Sequence, residues 1–208
     1  MPPAEFRSYF HARAGRFAAF YRSEPVARAL GRGPLFDRLR GAVDIATSLK
    51  ARRVLDVGCG SGPLFTPLAS AGIHVTGLDP APAMVAMARA EAAPWGDLVE
   101  VQERGWESID ERDAYDVAVA LGVYDYVDEP ADLLRRMGAA APHVVGSFPS
   151  PGVRTDLRRL RYGARGVHVH GYDAARLARL GEEAGLVVEE LRPLGRAGFL
   201  AHYGRVRP

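Results

Sequence analysis

No asparagine occurs in the 208-residue chain, cysteine occurs once (Cys59), and lysine once (Lys50) among 27 basic residues. A single cysteine can form no internal disulfide and cannot build a cysteine-based zinc site. No stretch approaches the roughly 20 consecutive apolar residues of a membrane-crossing helix. The opening "MPPAEFRSYFHARAGRF" lacks the apolar core of a secretory signal. The formal net charge of +2 is too small for the electrostatic footprint of a nucleic-acid binder. Repeats and low-complexity linkers are missing as well. These absences predict a cytoplasmic protein with neither membrane nor nucleic acid as partner, a monomer or homodimer. What the chain does have is 48% hydrophobic residues, enough to build a packed core.

The apolar pattern changes character near residue 50. Before it, "AEFRSYFHARAGRFAAFY" places aromatic residues at helical intervals, and Pro34 opens a further helix to about Lys50. Residues 1–50 are expected to form an N-terminal helical cap. After it, strands and helices alternate: "RVLDV" (53–57), "HVTGLD" (74–79), "LVEVQE" (98–103), "YDVAVAL" (115–121) and "HVVGSF" (143–148) read as strands. Such alternation implies an α/β fold, a doubly wound Rossmann-like sheet covered on both faces. A helix over "DAARLARLGEEAG" leads to "LVVEELRPL" and "AGFLAHYGRV", two strands close enough to pair as an antiparallel hairpin. The expectation is a seven-stranded mixed sheet over 51–208, with 150–171 inserted on the substrate side.

The first strand carries an acid, Asp56, into the turn Gly58-Cys59-Gly60-Ser61-Gly62. In an open α/β sheet the ligand sits beyond the carboxyl ends of the strands. A dinucleotide turn asks for a glycine where this chain has Pro63, and Asp56 would repel a pyrophosphate. A cationic ligand reverses that sign. The second strand ends in Asp79, where an acid can accept both ribose hydroxyls of an adenosine. Pro63 and Asp56 both argue against a nicotinamide dehydrogenase.

The motifs "VLDVGCGSG", "VTGLD" and "YDVAVALGVYDYV" resemble those of the class I S-adenosylmethionine-dependent methyltransferases, over about residues 52–205. The resemblance implies S-adenosylmethionine as cofactor. It implies that Asp56, Gly58, Cys59, Gly60 and Gly62 hold the methionine and ribose side, that Asp79 holds the ribose hydroxyls, and that Pro80 and Met84 pack near the adenine. Leu121 and Gly122 would flank the sulfonium, with Tyr126 close by. The family often has an acid after strand three for the adenine amino group. Gly105 stands there instead, followed by Trp106 and Glu107 as the expected wall. Arg16 and Tyr21 are candidates for the cofactor carboxylate.

The same resemblance sorts the acceptor. The [DNS]-P-P-[YFW] pattern of amino-group methylation is missing from "ALGVYDY". A chain without asparagine cannot complete the magnesium set of catechol-type enzymes, and one lysine cannot supply a two-lysine tetrad. A metal-free transfer to a small organic molecule remains, with oxygen slightly favoured by a loose likeness to porphyrin-carboxylate and quinone-type O-methyltransferases. Its rivals are a sulfonium-assisted cyclase, an aminopropyl transferase and a non-catalytic cofactor-binding protein. Acceptor-side candidates are Tyr124, Asp125, Phe17 and Arg158, the last in an arginine run that could draw an acidic acceptor. His168 and His170 share one face of an extended segment and, with Tyr124, are the candidate acid/base groups.

Overall fold

The computed structural model describes Gly15 and residues 24–163 and 168–206. The aromatic stretch before Glu24, with Arg16, Phe17 and Tyr21, lies outside the described residues.

Seven strands form one sheet: β1 (Arg53–Val57), β2 (His74–Leu78), β3 (Val99–Gln102), β4 (Val117–Leu121), β5 (His143–Pro149), β6 (Leu186–Pro193) and β7 (Gly198–Arg205), in the order β3-β2-β1-β4-β5-β7-β6. The first five run parallel, while β7 is antiparallel to both β5 and β6. The seven-stranded mixed sheet with a terminal hairpin is the expected fold. β1 and β4 are apolar on both faces apart from Asp56 and the exposed first residue Arg53, because helices cover them on both sides.

Among the described residues seven α-helices connect or flank the strands: α1 (Glu24–Ala29), α2 (Gly33–Ser48), α3 (Phe65–Ser70), α4 (Pro82–Ala92), α5 (Pro130–Ala140), α6 (Val153–Gly163) and α7 (Ala174–Ala184). Pro34 opens α2, as its fixed φ and missing N–H suit a first turn. Asp173 caps α7 by accepting the Arg176 N–H at 2.7 Å, and Gly185 ends it at φ +75°. None of the described helices is long and apolar enough to cross a membrane.

The core has two halves. On one face Tyr124, Phe148, Tyr172 and Tyr203 pack with Leu133, Met137 and Leu177 from α5 and α7. On the other, Ala42, Ile45 and Ala46 of α2 meet Phe65 and Leu68 of α3 and the outward side of β1. Fully burying a leucine, isoleucine, phenylalanine or methionine side chain contributes about 1.5–3 kcal/mol. α2 is thus built into the sheet's own core, which fixes it beside the carboxyl ends of β1 and β4.

Candidate functional site

A cavity of about 690 Å³ opens at the carboxyl ends of the parallel strands. It lies where the strand order reverses between β1 and β4, the crevice that open α/β sheets offer to ligands. Of the expected residues, Asp56, Gly58, Cys59, Gly60, Asp79, Pro80, Met84, Trp106, Glu107, Leu121, Gly122, Asp125, Tyr126 and Arg158 line it.

The glycines of the first turn have different reasons for being glycine. Gly58, Gly60 and Gly62 have φ of +68°, +56° and +82°. At Gly60 an added Cβ would meet open space, so bare backbone faces the cavity. At Gly62 it would stand 2.5 Å from the Phe65 ring, and Gly62 does not line the cavity. The expectation of a ligand contact there is corrected: Gly62 makes room for the start of α3. At Gly58 the obstacle would be Val123 at 2.5 Å, from the β4 exit.

Two buried acids stand beside this turn. Asp79 accepts the Gly60 N–H at 3.0 Å and the Ala81 N–H at 2.9 Å. Burial pushes its carboxyl up to about 6, against the pull of those two donors. Asp56 is 3% exposed. Burial, and then the charge of Asp79, push its carboxyl up to about 7. Two carboxylates sharing a dry wall disfavour each other's charge, so the wall attracts a cation and repels a phosphate. The Cys59 thiol is held well above its ordinary range by burial and by the same acids, which keeps it inert.

After β3 an acid two residues beyond Gly105 reaches the cavity. The Glu107 carboxylate folds back over the bare Cα of Gly105, where a side chain would collide with it, and Glu107 lines the cavity next to Trp106. Gly105 itself is not part of the lining. Across the cavity Gly122 turns at φ +79° and donates its N–H to Ser147 Oγ at 2.8 Å.

The acceptor side differs more from expectation. Tyr124 is fully buried, stacks on Phe148 at a ring separation of 4.2 Å and points its hydroxyl at Met137 Sδ, 3.6 Å away. Burial holds its phenol well above the ordinary range. It belongs to the core, and its expected acid/base role is corrected. His168 and His170 do not line the cavity either. Both face Asp128, at 3.3 and 3.0 Å, and Asp128 lines the rim. Their segment is docked by the His170 N–H on the Asp125 carbonyl. The two imidazoles thus meet a rim carboxylate and not the cavity where a base was expected. The arginine run divides as well: Arg158 reaches Asp125 and Tyr126, whereas Arg159 turns to Asp156 and the Val169 carbonyl.

Several lining residues were not foreseen, and the most telling is an arginine. Arg38 of α2 lies over Gly122, so that an added Cβ there would stand 2.8 Å from its Nη1. Only the packing of α2 against β4 brings it there, and nothing in the local sequence marks it.

A methyltransferase domain family matches residues 12–191. The chain is 29% identical to a ubiquinone biosynthesis O-methyltransferase of Aeromonas salmonicida over 176 residues, which is 74% of this chain and 71% of that protein. It is 33% identical over 125 residues to the protein of the same name from Azorhizobium caulinodans, 60% of this chain. The chain spans about half the length (49%) of that relative. In structure it is similar to magnesium protoporphyrin IX methyltransferase from Synechocystis PCC 6803, solved with bound S-adenosylhomocysteine. The TM-score is 0.79 and the identity 20%, covering 97% of this chain and 98% of the other. A Burkholderia thailandensis 1,6-didemethyltoxoflavin N1-methyltransferase gives a TM-score of 0.73 at 19% identity, covering 98% and 88%. At such identities the structural likeness concerns the fold.

Proposed function

The chain belongs to a methyltransferase domain family, and from that premise we propose that it transfers a methyl group from S-adenosylmethionine to an oxygen of a small organic acceptor. The observation that carries this reading is the buried pair Asp56 and Asp79 beside the open backbone of Gly60. That wall fits a phosphate-free nucleoside joined to a cation. Relatives named as ubiquinone O-methyltransferases support oxygen as the atom methylated.

S-adenosylmethionine, when bound, supplies an electrophilic methyl group on a positively charged sulfur. In this reading Asp79 receives the ribose hydroxyls and Asp56, directly or through water, the ammonium. Glu107 accepts the adenine amino group while Met84, Pro80 and Trp106 enclose the ring. Leu121 and Gly122 border the sulfur, and Arg38 offers its guanidinium to the carboxylate. Asp125, Tyr126 and Arg158 shape the acceptor wall, carried in part by the insertion at 150–171. Holding two reactants in line can supply about 7–11 kcal/mol of the barrier. A carboxylic acceptor is already ionised near neutral pH and asks no base of the chain, whereas a phenolic one gives up its proton to solvent as the methyl group is transferred.

The test is incubation of the purified protein with S-adenosylmethionine and a panel of phenolic, carboxylic and amine acceptors, with products read by mass spectrometry. A gain of one methyl on oxygen, with S-adenosylhomocysteine formed in equal amount, is the expected result. Methylation confined to nitrogen or carbon would overturn the oxygen assignment. Tight binding with no turnover on any acceptor would overturn the enzymatic one.

A further inference from the structure

Outside the cavity, ionisable side chains converge at the opposite end of the sheet. His143 begins β5 and His202 lies in β7. Val145 pairs with His202 and His143 with Gly204, so the two histidines are diagonal neighbours on one face, the side that also carries Val145 and Leu200. The pairing of β6 with β7 slips between Val188 and Glu190, leaving Glu189 as the extra residue of a bulge. A bulge re-aims a side chain. This one lays the Glu189 carboxylate over Gly204, where any side chain would collide with it, and onto both imidazoles.

Three donor atoms result. His143 Nδ1 and His202 Nε2 are 3.1 Å apart, Glu189 Oε2 is 3.4 Å from His202 Nε2, and it is 3.6 Å from His143 Nδ1. A tetrahedral ion with bonds of about 2.0–2.1 Å separates its ligands by about 3.3–3.4 Å. A histidine–histidine hydrogen bond alone would account for the first distance but not for a carboxylate oxygen near both nitrogens. Among the described residues this is the group of three such side chains whose ligand atoms lie within 4.8 Å of one another. The neighbouring acid, Glu190, is engaged by Arg192 at 2.9 Å, and among the described residues the ion-pair partners of Glu189 are the two histidines. His202 is 8% exposed and Glu189 35%, so the cluster is walled on one side and open to water on the other.

We propose that His143, Glu189 and His202 form a three-ligand site for a zinc-class divalent cation, with water in the fourth position. Two imidazoles and one carboxylate suit a borderline transition-metal ion rather than magnesium or calcium. The site stands about six residues, or roughly 20 Å, along β5 from the end that meets the cavity. It takes no part in methyl transfer. A cation there clips the β6–β7 hairpin to β5.

The experiment is calorimetric titration of untagged, chelator-treated protein with ZnCl₂ alone, paired with thermal melts. One equivalent binds, and zinc at 100 times Kd raises the melting midpoint by about 5–10 °C. His143→Ala abolishes both effects. Glu189→Gln, nearly isosteric, carries the test should His143→Ala weaken the edge: it lowers zinc affinity at least tenfold and removes the thermal shift. The double variant His168→Ala/His170→Ala, in the separate imidazole pair at Asp128, keeps full zinc affinity. No binding by the unaltered protein, or binding that survives Glu189→Gln, overturns the proposal.

Discussion

Arg158 of α6 donates to Asp125 Oδ2 at 2.5 Å and to the Tyr126 hydroxyl at 2.9 Å, tying the insertion after β5 to the exit of β4. Its guanidinium also lies 5.6 Å from the centre of the Tyr126 ring. The pair is shielded, with Asp125 13% exposed, so the contact exceeds an ordinary surface ion pair in strength. Much of the arginine's charge is answered within the wall. Its contribution is to hold the wall's shape.

That geometry gives the first prediction. Arg158→Ala raises the acceptor KM about tenfold and changes S-adenosylmethionine affinity less than twofold, because Asp79 and the glycine turn stay in place. Arg158→Lys gives an intermediate KM, since an ammonium cannot keep the fork geometry of a guanidinium. A double-mutant cycle with Asp125→Ala yields a coupling of about 1–3 kcal/mol in kcat/KM. Independent effects would remove the wall as the acceptor's positioning device.

Asp79 separates folding from binding. Its two oxygens accept the N–H groups of Gly60 and Ala81. Asp79→Asn keeps one acceptor and loses the charge, and S-adenosylmethionine affinity falls at least tenfold with a small change in melting midpoint. Asp79→Ala loses both acceptors and lowers affinity and stability together. Calorimetry and thermal melts on the two variants distinguish the effects.

The buried acids set opposite pH dependences for stability and for binding. The folded protein holds a proton on Asp56 up to about pH 7 and on Asp79 up to about 6, against 3.8 for the free groups. Between about pH 4 and 7 the native state therefore binds more protons than the unfolded chain, so stability falls as pH rises through that window. The ligand-free protein melts at a lower temperature at pH 8 than at pH 5, and Asp56→Asn flattens that profile, recovering on the order of 1–3 kcal/mol at pH 8. A cationic ligand favours the ionised acids, so its affinity rises over the same range. Affinity for S-adenosylmethionine that is flat from pH 5.5 to 8 would detach Asp56 from the ligand.

The parallel strands, the hairpin and the glycine turn were legible because each rests on local rules: apolar runs of strand length, helix stops such as Gly185, and an acid placed at a strand end. Facing was legible only while the alternation held. Gly122, at φ +79°, breaks the period-two pattern just after β4. The side chains beyond it cannot be assigned to a face by counting, and Tyr124 went inward while Asp125 and Tyr126 went to the cavity. The pairing of His168 with His170 was readable. Their shared partner Asp128 was not, because it depends on where the insertion docks. Arg38 and Ser147 reach the site only through the packing of distant elements, for which the sequence offers no spacing signal.

Because His168 and His170 address the rim carboxylate and not the cavity, their removal acts on loop position. His168→Ala, with a largely exposed ring, leaves turnover within twofold of the unaltered protein. His170→Ala raises acceptor KM about threefold with kcat nearly unchanged. A tenfold loss of kcat with KM unchanged would restore one of them as the base, and steady-state kinetics on a saturable acceptor makes the distinction.

Three glycines around the first turn separate packing from ligand contact. Gly77 of β2 and Gly62 both face Phe65, and an added Cβ would stand 2.6 and 2.5 Å from its ring. The ring is buried with no room to yield, so Gly77→Ala and Gly62→Ala each destabilise the fold by about 1–3 kcal/mol. At Gly60 the new methyl meets no protein atom, and the cost is limited to a positive φ, about 1 kcal/mol. That same methyl projects into the cavity beside Asp79. Gly60→Ala therefore lowers S-adenosylmethionine affinity tenfold or more at a modest cost in melting midpoint. Gly77→Ala does the reverse, lowering the midpoint by several degrees with affinity nearly intact. Equal losses of affinity in both variants would mean that the ligand lies elsewhere than against the Gly60 backbone.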